Sequence, residues 1–99
     1  MARLQPSASY SVTIRMENPH TPGMVGRITS AIGEAGGLIG AIDVVGVSKD
    51  RTVRDFVVAA ADAAEEQTIV NHVKSVAGVQ LISVSEARMR SLGSRDLAS

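Results

Sequence analysis

The side chains able to do chemistry are few. His20 and His72 stand far apart, and the chain has no cysteine. That pattern lacks the ligand spacing of a zinc site, and it leaves neither thiolate chemistry nor a disulfide framework. Ser9, Ser11, Ser83 and Ser85 fall at alternating positions, as on the wet face of a strand. No Ser-His-acid set gathers around them. The glycine-rich run "GEAGGLIG" (Gly33 to Gly40) has neither the Lys-Ser/Thr of a phosphate loop nor a GxGxxG spacing. Ninety-nine residues hold no nucleotide-binding unit. No catalytic set, metal site or cofactor is therefore expected. What remains is "NPHTPGMVGRI", Asn18 to Ile28, where a strand hands over to a helix through Pro22-Gly23. A helix start presents unpaired N–H groups and the positive end of the helix dipole. Gly23 lets a ligand come close to the backbone, so a carboxylate or phosphate could sit there without a basic side chain. The same residues read equally well as a plain turn.

The rest of the composition narrows the classes. Lys+Arg and Asp+Glu are both 10, and Tyr10 and Phe56 are the only aromatics. A nucleic-acid binder needs a basic stripe, and an RNA-recognition sheet needs stacking aromatics; "TVRDFVVAA" offers one Phe. "GMVG" echoes a GXXG clamp but sits at a helix start. No nucleic-acid partner is expected. "MARLQPSASY" lacks the apolar core of a signal peptide, and no apolar run reaches the length of a membrane span. The expectation is one small soluble domain, cytoplasmic, with no membrane partner.

The elements follow from periodicity. Residues 1–8 read as a flexible lead. From Ser9 to Met16, Tyr10, Val12, Ile14 and Met16 alternate with polar residues, a half-buried strand. Thr21-Pro22 reads as N-cap and first-turn proline. Met24, Val25, Ile28, Ala31, Ile32 and Ala35 recur at helical spacing, and Gly36-Gly37 ends the helix. Leu38–Ser48 and Thr52–Ala61 read as two strands of a hairpin. Asp62 with Glu65 three residues on opens a second helix with a capping box; its stripe is Ile69, Val70, Val73, Val76 and Ala77, and Gly78 ends it. Val79–Glu86 is the last strand, and 89–99 is a tail. The order predicts an α+β, ferredoxin-like βαββαβ fold over 9–88: a four-stranded antiparallel sheet with two helices on one face.

The hairpin register is open. A three-residue turn at Lys49–Arg51 sets Val44 opposite Phe56 and keeps Asp43 beside Asp55; a shorter turn sets Val45 opposite Phe56. The first is preferred. Val45, Val47, Val53 and Val57 then face away from the helices as an apolar patch, which predicts a homodimer or higher assembly.

These residues resemble a known family. "SYSVTIRMENPHTPGMVGRITSAIGEAGGLIGAIDVV" is similar to the first half of an ACT domain, the small-molecule-sensing module of metabolic enzymes, and the resemblance continues through "VRDFVVAAAD" and "VAGVQLISVSE". "SAIGEAGG", "GAIDVV", "VRDF" and "GVQLISVS" resemble the ACT domain preceding the catalytic domains of some bacterial NAD-dependent malic enzymes. The resemblance implies paired domains forming an eight-stranded sheet, with an amino-acid ligand at the interface. It implies binding roles for Asn18, His20, Thr21, Gly23 and Met24 on the loop, and for Leu38, Ile39 and Gly40 on the second strand of a neighbour. Many amino-acid-sensing members carry Asn or Asp two residues before the proline; this chain has His20. Three readings follow: a non-catalytic regulatory domain that dimerises and binds a small amino or carboxylic acid, an oligomerisation module without ligand, or the detached regulatory front of a malic enzyme.

Overall fold

A computed structural model describes residues 10–88. The elements run β1 (Tyr10–Pro19), α1 (Met24–Glu34), β2 (Leu38–Val47), β3 (Arg51–Ala60), α2 (Ala63–Lys74) and β4 (Gln80–Arg88). The strands form one antiparallel sheet in the order β2-β3-β1-β4, so the ferredoxin-like βαββαβ plan stands. The lead and the tail fall outside the described residues. Among those residues, no helix is long and apolar enough to cross a membrane.

Alternation builds the core. Val12, Ile14 and Met16 of β1 and Phe56, Val58 and Ala60 of β3 point from one face of the sheet into a cluster with Met24, Ile28 and Ile32 of α1 and Ile69 and Val73 of α2. Both helices thus cover the same face. Local chemistry ends them as the residues dictate. Gly36, at φ 95°, follows the last turn of α1; its N–H reaches the Gly33 carbonyl, and the Gly37 N–H reaches that of Ile32. This is the paired closure of a Schellman motif. At the start of α2, Asp62 accepts from the Glu65 N–H at 2.8 Å, while Glu65 accepts from the Ala61 N–H at 2.8 Å. The reciprocal bond lands one residue earlier than in the simple capping box.

Three expectations need correction. Strand β1 runs on to Pro19, because Asn18 and Pro19 still pair with Thr52 and Arg51. Helix α2 stops at Lys74, before Val76 and Ala77, and Gly78 belongs to the turn into β4. The hairpin takes neither weighed register. Val47 pairs with Thr52 across a tight Ser48–Arg51 turn, and shifts at Val44/Gly46 and Ile39/Ala41 then set Ile42, not Val44, opposite Phe56. Asp43 does lie opposite Asp55.

Those shifts relocate the exposed apolar surface. Val53 and Val57 lie on the outer face but are half-buried. Val47 shares a face with Thr52, on the helix side. The exposure concentrates along the edge strand β2, where Leu38 is 73%, Val47 62% and Val44 58% accessible.

The outer face carries an ion pair at its centre. Arg15 Nε and Nη2 donate to the two carboxylate oxygens of Asp55 at 2.8 and 2.9 Å. These bonds hold the Asp55 carboxyl below its ordinary range, against an opposing push from burial. A carboxyl with a lowered folded pKa stabilises fully above its unfolded value, near 4, and that stability is lost as pH falls through the folded value. The melting midpoint of the unaltered chain is therefore expected to fall more steeply below about pH 4 than that of Asp55→Asn. Thermal melts across the acid range check this; superimposable acid limbs would remove the pair from the stability balance.

Candidate functional site

The loop from β1 to α1 closes over a recess of about 410 Å³ lined by Asn18, Pro19, His20, Thr21, Pro22, Met24, Val25 and Arg54. Its floor is the helix side of β1 and β3. Asn18 is the last inward residue of β1, only 1% accessible. Its Nδ2 donates to the Pro19 carbonyl at 2.7 Å, and its Oδ1 accepts from Arg54 Nη1 at 3.3 Å. Burial makes these bonds necessary, since an unpaired amide there would cost free energy. His20 is anchored twice: its N–H donates to the Asp50 carbonyl at 2.8 Å, and its Nδ1 shares a 2.8 Å bond with Oγ1 of buried Thr52. Thr21 is exposed and its N–H donates to the Pro19 carbonyl at 2.9 Å.

Thr21 does not cap α1. The N-cap is Gly23, at φ 89°, with no side-chain cap and no acidic residue in the first turn. The first helical bond runs from the Arg27 N–H to the Gly23 carbonyl. The φ of Gly23 lies where L side chains are strained, so its identity is a demand of the turn itself. A Cβ there would also stand 3.3 Å from Arg27 Nη1. A bulkier residue at Gly23 would thus report backbone strain before it reported any anion. Gly23 lines a second groove, between α1 and the end of α2, with Gly26, Arg27, Ser30, Glu34 and His72.

Of the residues singled out from the sequence, Asn18, His20, Thr21 and Met24 share the recess; Gly23 lies on the other side of the turn. Leu38, Ile39 and Gly40 are not near it in the same chain. Leu38 pairs with Ala59, whereas the recess lies at the level of Thr52, roughly 20 Å along β3 at a strand's rise per residue. Sequence reasoning missed Arg54. The signal was available: in "RDF", Arg54 lies two residues before Phe56, so it shares the helix-facing side of β3. Among the described residues, no group of three or more potential metal ligands is present.

This sheet order, the two helices on one face and the loop recess define the ACT-domain fold. The ACT domain of GTP pyrophosphokinase from Chlorobium tepidum superposes with a TM-score of 0.62 at 18% identity, over 80% of this chain and 99% of that one. The regulatory subunit of aspartate kinase from Thermus thermophilus, ligand-free, gives 0.55 at 20% identity, over 78% and 55%. In sequence, the chain is homologous to part of the NAD-dependent malic enzyme of Geobacillus stearothermophilus, with 38% identity over 79 residues. That match takes in 80% of this chain but only 16% of the enzyme. No protein-family model matches.

Proposed function

We propose that the chain is a non-catalytic regulatory ACT domain that dimerises and binds a small amino or carboxylic acid at the subunit interface, in allosteric control of a metabolic enzyme. The observation that carries this reading is the position of the recess beside an apolar edge strand that, among the described residues, pairs on one side only. A ten-residue edge presents a row of free backbone donors and acceptors, and a second copy can pair with it. Two β2 strands running antiparallel about a two-fold axis bring Leu38, Ile39 and Gly40 of the second copy to the Val47 end of the first. That is the end where Asn18, His20 and Met24 lie. Site residues separated within one chain would thus meet across the pair. A ligand seated between the copies favours one arrangement of the dimer, and it shifts that equilibrium only by its differential affinity for the two states.

The identity to the Geobacillus enzyme favours an NAD-dependent malic enzyme as the enzyme controlled, this chain being its regulatory part. The chain spans about a sixth of that relative's length, so the controlled activity belongs to the proposal.

A thermal-shift screen of the amino acids with malate and pyruvate tests the ligand claim. A ligand at a hundred times its dissociation constant stabilises by about 2.7 kcal/mol. For a domain of this size that raises the midpoint by roughly 10 °C or more. If no compound moves it, an oligomerisation module without ligand becomes the reading that stands.

A further inference from the structure

Arg54 has five N–H donors and, among the described residues, spends one, on Asn18 Oδ1 at 3.3 Å. It is partly buried, and among the described residues it has no carboxylate partner: the two ion pairs are Arg15–Asp55 and Arg51–Glu17. Among the described residues, no Asp or Glu lines the recess. Asp50, whose carbonyl accepts from His20, adds no side chain to the lining, and Glu17 is held by Arg51 on the outer face. A guanidinium half-withdrawn from water, with its fork unfilled and no acid nearby, is matched by a carboxylate.

The same lining is poor for an ammonium. Asn18 Oδ1 would be its natural acceptor, yet it already accepts from the Arg54 guanidinium, whose charge repels a second cation. The Pro19 carbonyl already takes Asn18 Nδ2 and the Thr21 N–H. Within one chain, an ammonium placed here would meet Arg54 and, among the described residues, no balancing charge. Resting on the reading that this recess is the ligand site, we infer that its ligand is a small carboxylic acid without an amino group, a hydroxy, keto or dicarboxylic acid, with Arg54 holding a carboxylate. Charge here decides between two compounds of nearly equal size, as specificity arises from what is left unpaired in the wrong complex.

The test uses the 99-residue chain, four carboxylate probes, succinate, L-malate, L-aspartate and L-alanine, and sulfate as a control anion. Calorimetry measures affinity, and amide chemical shifts locate binding. Succinate is expected to bind with shifts at Asn18, His20 and Val25. It should bind about tenfold or more tightly than L-aspartate, which differs by the ammonium. Arg54→Gln is expected to weaken succinate by about tenfold or more, as loss of charge-assisted bonds does. Arg54→Lys, which keeps the charge but not the fork, should fall between. Unchanged melting and association of both variants would confirm intact folding. Tighter binding of L-aspartate or L-alanine with shifts at the same amides would overturn the ligand class while leaving the recess as the site. Undiminished succinate binding by both variants would overturn the role of Arg54. Sulfate binding as tightly as succinate would reduce the site to a general anion sink and overturn the carboxylate assignment. If none of the four probes binds, the recess reading falls and takes this inference with it.

Discussion

Phe56→Ala is expected to lower the thermal midpoint by roughly 12 °C or more, the largest loss of any single substitution considered. Phe56 is fully buried at the middle of β3, between Ile14 of β1 and Ile42 of β2. It is the only phenylalanine in the chain and the bulkiest side chain of the core. The helices close over it through Ile28, Ile32, Ile69 and Val73. Truncation removes apolar area from the core and leaves a cavity that neighbouring β-branched side chains are too stiff to fill. Such changes cost about 3–5 kcal/mol, against a total of about 5–15 kcal/mol for a typical domain. Phe56→Leu, which keeps most of the volume, should cost distinctly less. Equal midpoints for the alanine variant and the unaltered chain would mean that the core is centred elsewhere.

Lysines at Val44 and Val47 are expected to do the opposite: abolish self-association with little effect on the fold of one chain. Both side chains are more than half accessible in the single chain, and exposed substitutions usually change stability by no more than about 0.5 kcal/mol. In a two-fold pair along β2, each lysine appears twice. Four ammonium groups would then lie in or near one apolar seam, where desolvation and mutual repulsion both act against association. Sedimentation at micromolar concentration should give more than one chain per particle for the unaltered protein and one for the double variant. A monomeric unaltered chain would remove the association claim and the interface site with it. An associated double variant would place the contact away from β2. Val57, by contrast, is a poor place for such a test, since it is half-buried on the outer face of an interior strand.

Much of this protein is legible from residues near one another in the chain. The alternation in "SVTIRM", the helical spacing after Met24, the Gly36-Gly37 stop and the Asp62–Glu65 pair each act over a few residues. Their geometry is dictated by backbone sterics and hydrogen bonds that neighbours can satisfy. The order of elements then leaves few topologies, which is why the ferredoxin-like plan could be read directly. The stretch from Asn18 to Ile28 was legible for the same reason, as a strand-to-helix handover, whereas individual roles for Asn18, His20, Thr21 and Met24 came only from the resemblance to ACT domains.

Tertiary structure decided the rest. The register of β2 on β3 was open because β2 is apolar at successive positions, so a shift of one residue breaks no clear pattern; two irregularities in the pairing settled it. Thr21 failed as a cap because α1 begins only at Met24, with left-handed Gly23 in the N-cap position. Gly23 left the recess because its left-handed conformation turns the chain at that point. Arg54 entered it only because β3 lies beside β1, Arg54 standing thirty-six positions along the chain from the asparagine it bonds. A site assembled from distant strands depends on cross-strand pairing and on which polar groups burial forces together. Those are properties of the packed sheet, and local spacing in the sequence does not contain them.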